Sequence, residues 1–170
     1  LYGKQGYGNA RGIWQTVYLE ARGSNYFDAI HFTPDIDKKS VNVKFYFQEK
    51  MKTNSSVKLN IKTDKGVINK KFTIRKGQLS SSFNVSIPNM RLWSLDDPFL
   101  YKVEASLDDD QVESYFGMRK VSVVNLPDSE FPYVALNNKP IYLQFALDQS
   151  YHQDGFYTFP TDQFMKEEII

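Results

Sequence analysis

Apolar residues recur at every second position through the middle of the chain, a period that fits antiparallel sheet and little else. Val41, Val43, Phe45 and Phe47 alternate with Asn42, Lys44, Tyr46 and Gln48, which writes a strand with one buried face. Val57, Leu59 and Ile61 repeat the pattern against Lys58, Asn60 and Lys62. Asp64-Lys65-Gly66 then supplies a turn, with Gly66 free to take a positive φ. Val67 to Ile74 returns as a strand, Phe72 and Ile74 inward and Lys71, Thr73 and Arg75 outward. Phe83, Val85 and Ile87 form another. Tyr101, Val103, Ala105 and Leu107 run to an acidic tip at Asp108-Asp109-Asp110, and Val112, Ser114, Phe116 and Met118 run back. With Ala29 to Phe32 these make about seven short strands separated by turn signals, so the expected fold is all-β, an antiparallel β-sandwich.

The composition changes after Val124. Asn125-Leu126-Pro127-Asp128-Ser129 reads as a linker. Val134-Ala135-Leu136 and Ile141-Tyr142-Leu143 flank Asn137-Asn138-Lys139-Pro140, a small hairpin. A loop rich in Asp, Gln, Tyr and His follows, and Pro160-Thr161-Asp162 opens a helix with Thr161 as its N-cap. Strand, loop and helix in that order begin a β/α repeat, of which one unit is present. The chain opens at Leu1 in what reads as mid-domain sequence and stops at Ile170 within a helical pattern, so both ends read as cut.

Composition excludes several function classes. Charge is close to balanced at +1 with Lys spread along the chain, so no nucleic-acid footprint exists. No run of about 18 apolar residues offers a membrane span. The count of zero Cys removes disulfides and thiolate chemistry and fits either cytoplasm or periplasm. His31 and His152 lie far apart without ligand-like spacing, so neither a metal site nor a cofactor is expected. Aromatic residues make up 15% of the chain, and sheet packing accounts for them more simply than sugar-binding platforms do.

Three separated segments resemble family 2 glycoside hydrolases, the group of β-galactosidases, β-glucuronidases and β-mannosidases. Gly3-Lys4-Gln5 with Arg11-Gly12-Ile13-Trp14-Gln15-Thr16-Val17-Tyr18-Leu19-Glu20 is similar to the last strands of the family's sugar-binding jelly roll. Leu92-Trp93-Ser94-Leu95-Asp96-Asp97-Pro98-Phe99-Leu100-Tyr101 and Phe116-Gly117-Met118-Arg119-Lys120-Val121 resemble two signatures of its immunoglobulin-like middle domain. Leu136-Asn137-Asn138-Lys139-Pro140-Ile141-Tyr142-Leu143 looks like the hairpin that leads into its catalytic (β/α)₈ barrel. The resemblance implies jelly-roll strands over 1–24, an immunoglobulin-like sandwich over 25–125, and the start of the barrel over 126–170. It also implies neighbouring jelly-roll and barrel domains as partners, a carbohydrate substrate met through a parent enzyme, and a parent that is a β-galactosidase or β-glucuronidase.

Catalysis is not expected from this segment itself. Retaining glycosidases use two carboxylates about 5–5.5 Å apart, and in this family both are Glu residues on later barrel strands. Glu167 and Glu168, adjacent on a helix, point in different directions. Ser150, His152 and Asp154 alternate along one extended segment and cannot converge as a triad. Trp93 reads as an apolar plug at a sandwich end, Asp96 and Asp97 as turn residues before Pro98, the acidic tip as solvated edge protection, and Arg119 as a partner at a domain seam. The loop after the first barrel strand faces the active site of such enzymes, which makes Asp148, Gln149, Tyr151 and His152 candidate substrate contacts. Phe145-Ala146-Leu147-Asp148-Gln149 departs from the Gly-Val-Asn-x-His of many family members. Lys4 and Gln5, with Tyr7, are further candidates on the jelly-roll side. Apolar groups at both ends, Ile13, Trp14 and Val17 and then Phe156, Phe159 and Phe164, point to self-association through the cut ends. The competing reading is a free-standing carbohydrate-binding or adhesion module, for which the barrel-type hairpin and β/α unit have no use.

Overall fold

A computed structural model describes residues 12–13, 16–147, 152 and 159–169. The chain divides into two compact units, one of Ala21–Tyr142 and one of Leu1–Glu20 with Leu143–Ile170.

The larger unit is an antiparallel sandwich. Strands β1 (Phe27–Asp35), β2 (Ser40–Phe47) and β5 (Ser80–Ser86) form one sheet in the order β1-β2-β5. Strands β3 (Ser55–Thr63), β4 (Gly66–Ile74), β6 (Tyr101–Leu107) and β7 (Asp110–Phe116) form the other in the order β4-β3-β6-β7. The alternation read from sequence sets which face is buried: Val41, Val43, Phe45, Val57, Leu59, Ile61 and Val103 are almost fully excluded from solvent. Rings from the two sheets meet face to face, Phe32 on Phe116 at 5.1 Å and Phe83 on Phe72 at 4.2 Å between centroids. Phe45 sits among them, 5.6 Å from Phe27 and 6.2 Å from Phe72.

The placement of β4 follows from its turn. Thr63 pairs with Gly66 across Asp64-Lys65, and a two-residue loop forces its two strands to be antiparallel neighbours. Gly66 takes φ 131°. In constant-type immunoglobulin domains the fourth strand joins the first sheet; here it stays beside β3 in the second. At the start of β6, the Tyr101 hydroxyl accepts a hydrogen bond from the Arg91 amide at 2.6 Å, the tyrosine corner of such sandwiches.

A third sheet closes the unit: β8 (Val121–Asn125), β9 (Pro132–Leu136) and β10 (Lys139–Pro140), ordered β10-β9-β8. Val121 to Asn125 is thus a strand, paired with the far side of the expected linker, Val121 opposite Leu136 and Asn125 opposite Pro132. The hairpin turns on Asn137 and Asn138, both left-handed at φ 52° and 65°, a conformation asparagine tolerates. The Ile141 amide donates to the Val134 carbonyl at 2.9 Å, but the strand ends at Pro140 and does not run over Ile141 to Leu143.

In the smaller unit, α1 (Asp162–Ile169) begins where the sequence places it. The Thr161 hydroxyl accepts from the Phe164 amide at 3.1 Å, which makes Thr161 the N-cap. Gln163 donates to Glu167 one turn on, at 2.8 Å.

Candidate functional site

Two of the family-like segments come together with the hairpin at one place in the larger unit. Leu92 pairs with Met118 in a parallel bridge, and the Trp93 amide donates to the Met118 carbonyl at 2.9 Å. The indole ring lies against Gly117, where an added Cβ would stand 3.2 Å from the Trp93 Cβ. The Arg119 guanidinium sits 4.8 Å over that ring, a cation–π contact. Trp93 is therefore half-buried between Gly117 and Arg119.

Asn137 joins the hairpin to this clasp. Its side-chain Nδ2 donates to the Trp93 carbonyl at 2.9 Å while its Oδ1 accepts from the Lys120 amide at 3.1 Å. Its own amide donates to the Lys120 carbonyl at 2.8 Å. One side chain thus satisfies groups on two other segments, and the left-handed backbone of Asn137 is what aims it. Next to it, Asp37 in the β1–β2 turn accepts from Asn138 Nδ2 at 3.0 Å and pairs with the Lys120 ammonium. Those two bonds hold the Asp37 carboxyl below its ordinary value of 3.8, the Lys120 bond being the larger cause.

Arg91 and Asp97 brace the Trp93 loop from the other side, two nitrogens on two oxygens at 2.7 Å each. The Arg91 bond holds Asp97 below 3.8 as well. Asp97 also shapes the turn before Pro98: the Ser94 amide donates to its carbonyl and its amide donates to Ser94 Oγ.

The acidic tip is bonded to other segments and not merely solvated. Asp110 accepts from the Phe27 amide at 2.9 Å and from Arg22 at 3.1 Å, and Asp108 accepts from Asn25 Nδ2 at 2.8 Å. The tip fastens the segment entering β1, because a two-residue turn projects its carboxylates toward donors that run alongside. No spacing rule links Asp110 to Arg22 across more than eighty residues, so sequence patterning could not show this.

Of the candidate substrate contacts, Lys4, Gln5, Asp148, Gln149 and Tyr151 lie outside the described residues, as do Tyr7, Trp14 and Phe156. His152 is described: its ring meets Phe164 edge-on at 4.5 Å and Phe159 at 6.2 Å, an aromatic cluster on the helix of the smaller unit. Among the described residues no group of His, Asp and Glu is arranged to hold a metal ion. Glu167 and Glu168 are both exposed on α1.

This fold has known counterparts. It superposes on a family 2 β-galacturonidase from Eisenbergiella tayi bound to galacturonate with TM-score 0.67 and 19% identity, over 86% of this chain and 26% of that one. A β-glucuronidase from Ruminococcus gnavus in complex with C6-substituted uronic isofagomine gives TM-score 0.56 and 15% identity, over 80% of this chain and 22% of that one. The chain spans about a quarter of the length of these proteins, and at such identities the likeness is one of fold. No curated protein sequence matches the chain. The family profile described as "Glycosyl hydrolases family 2" matches residues 25–119, more than half of the 170. On that match, which includes both the Trp93 loop and the Phe116-Gly117-Met118-Arg119 segment, the chain belongs to glycoside hydrolase family 2.

Proposed function

We propose that this chain is the immunoglobulin-like segment of a family 2 glycosidase and acts as a non-catalytic spacer. In this reading residues 1–24 are the closing strands of a jelly roll and residues 126–170 begin the barrel. The observation that carries it is the clasp at Trp93: the sandwich signatures and the barrel-type hairpin are tied by Asn137 into one unit. A hairpin so fixed gives the chain that follows it a defined starting point and direction, which is what a spacer must supply.

The parent enzyme, in the same proposal, cleaves terminal β-glycosides by a retaining mechanism with two Glu residues outside this segment. The two similar structures are a β-galacturonidase and a β-glucuronidase, which favours a uronate over a neutral galactoside. Asp148, Gln149, Tyr151 and His152, with Lys4 and Gln5, remain the proposed substrate contacts in the assembled enzyme.

The test is direct. Purified chain incubated with chromogenic β-glucuronide, β-galacturonide and β-galactoside should match the buffer blank. Turnover that survives repurification and disappears on mutating a residue of this chain contradicts the spacer reading.

A further inference from the structure

A sheet edge carries unpaired N–H and C=O groups, and proteins guard such edges with charge, proline, bulges or covering segments. Four of the six edges in the larger unit are guarded in these ways. β4 carries Lys70 and Lys71, Lys70 on the inward-facing set with Ile68 and Phe72. β1 has a register irregularity between Phe27 and Ala29 and a proline at Pro34. β7 carries Glu113, and Asp110 at its start binds Arg22 and the Phe27 amide. β10 is the dipeptide Lys139-Pro140.

Among the described residues, the two unguarded edges are β8 and β5. β8 has five residues, and β5 has seven, Ser80-Ser81-Ser82-Phe83-Asn84-Val85-Ser86, with no charge, proline or bulge. Just outside β5, the Leu79 carbonyl accepts from the Phe47 amide at 2.9 Å, and the Ile87 amide donates to the Lys39 carbonyl at 2.7 Å. Alternation between these points turns the backbone groups of Ser81, Phe83 and Val85 toward β2. Those of Ser80, Ser82, Asn84 and Ser86 face the open edge.

We infer that β5 is a homodimer edge, at which β5 of a second copy adds antiparallel about a two-fold axis through Phe83. That register sets Ser82 opposite the partner copy's Asn84 and Ser80 opposite its Ser86, all outward-bonding positions, so each pair exchanges both of its hydrogen bonds. The strand is self-complementary in three further ways. The strand itself carries no charged residue. The Ser82 hydroxyl bonds Asn42 at 2.7 Å and Asn42 bonds Asn84 Oδ1 at 2.8 Å, which leaves the Asn84 Nδ2 without a partner among the described residues and able to meet a facing serine oxygen. On the inner side Phe83, half-buried and stacked on Phe72, gains the same ring from the partner copy as cover. Isologous pairing of this kind closes after two copies and does not propagate.

Sedimentation of the 170-residue chain over a wide concentration range tests this, with two variants. Ser82→Pro removes an N–H that the monomer does not use, so an edge strand accommodates it. The wild type and Val123→Lys, which charges the β8 edge, should both dimerise; Ser82→Pro should weaken dimerisation at least tenfold. Hydrogen exchange of the wild type gives a readout independent of any variant's folding: protection of the Ser82 and Asn84 amides should rise with concentration, and that of the Val123 amide should not. A chain that stays monomeric throughout, a dimer abolished by Val123→Lys, or Ser82 and Asn84 amides indifferent to concentration overturns the inference.

Discussion

The Tyr101 hydroxyl closes a ring with Arg91, accepting from its amide at 2.6 Å and donating to its carbonyl at 3.3 Å. Phe99 packs edge-on against the Tyr101 ring at 4.9 Å and Phe116 stacks on it at 5.1 Å, so the phenol is fixed by the core before it reaches the backbone. Tyr101→Phe keeps the packing and leaves two backbone groups of Arg91 without their partner. The expected loss is about 1–3 kcal/mol by chemical denaturation. Burial pushes the Tyr101 hydroxyl above its ordinary value of 10.0. A raised folded value gives stability that is complete below pH 10.0 and is lost as pH climbs through that folded value. The variant should therefore also flatten the alkaline limb of the stability curve.

Ser81 offers the opposite case. It faces inward on β5 and its hydroxyl is buried without a hydrogen-bond partner. Burying an unpaired hydroxyl is unfavourable, so Ser81→Ala should leave the unfolding midpoint unchanged or raise stability by up to about 1 kcal/mol. A clear loss would reveal a partner for the hydroxyl.

Gly117 has the tightest surroundings of the described glycines, with three Trp93 side-chain atoms 3.2–3.3 Å from where a Cβ would stand. Trp93 cannot retreat freely because Arg119 covers its ring. Gly117→Ala should cost about 1–3 kcal/mol by overpacking, and Gly117→Ala combined with Arg119→Ala should cost less than the sum of the two.

Acid should loosen the seam. Asp37 and Asp97 both titrate below 3.8 in the folded chain, so the stability they bring is present above that pH and is lost as pH falls through the lowered values. Both are exposed pairs, so the effect is small and screened by salt. In urea titrations from pH 7 to pH 3, Asp37→Asn should lower stability at neutral pH and show a shallower acid decline than the wild type.

The strands of the sandwich were legible because a half-buried strand must alternate, and Val41 to Phe47 alternates without fault. Thr161 was legible as a cap because the helix leaves amides that a hydroxyl must meet. β8 was not: Val121 and Val123, at 67% and 70% exposure, break the rule that apolar means buried, and the turn signals after Val124 hid the pairing. Resemblance singled out Trp93, Gly117 and Asn137 one segment at a time. What each one touches is a matter of tertiary geometry: Asn137 and Trp93 are 44 residues apart and bonded through one side chain.

That bond is where the account is most exposed to measurement. Amide hydrogen exchange reads the clasp through three reporters: Trp93, which donates to Met118, Asn137, which donates to Lys120, and Lys120, which donates to the Asn137 side chain. In the wild type all three should be strongly protected, approaching the core amides of Val43 and Val103. In Asn137→Ala the amides of Lys120, Trp93 and position 137 should each lose at least tenfold in protection, about 1.4 kcal/mol of opening free energy, while Val43 and Val103 hold theirs. Seam amides that exchange freely in the wild type, or a Lys120 amide unmoved by the substitution, would contradict a hairpin fixed to the sandwich through Asn137.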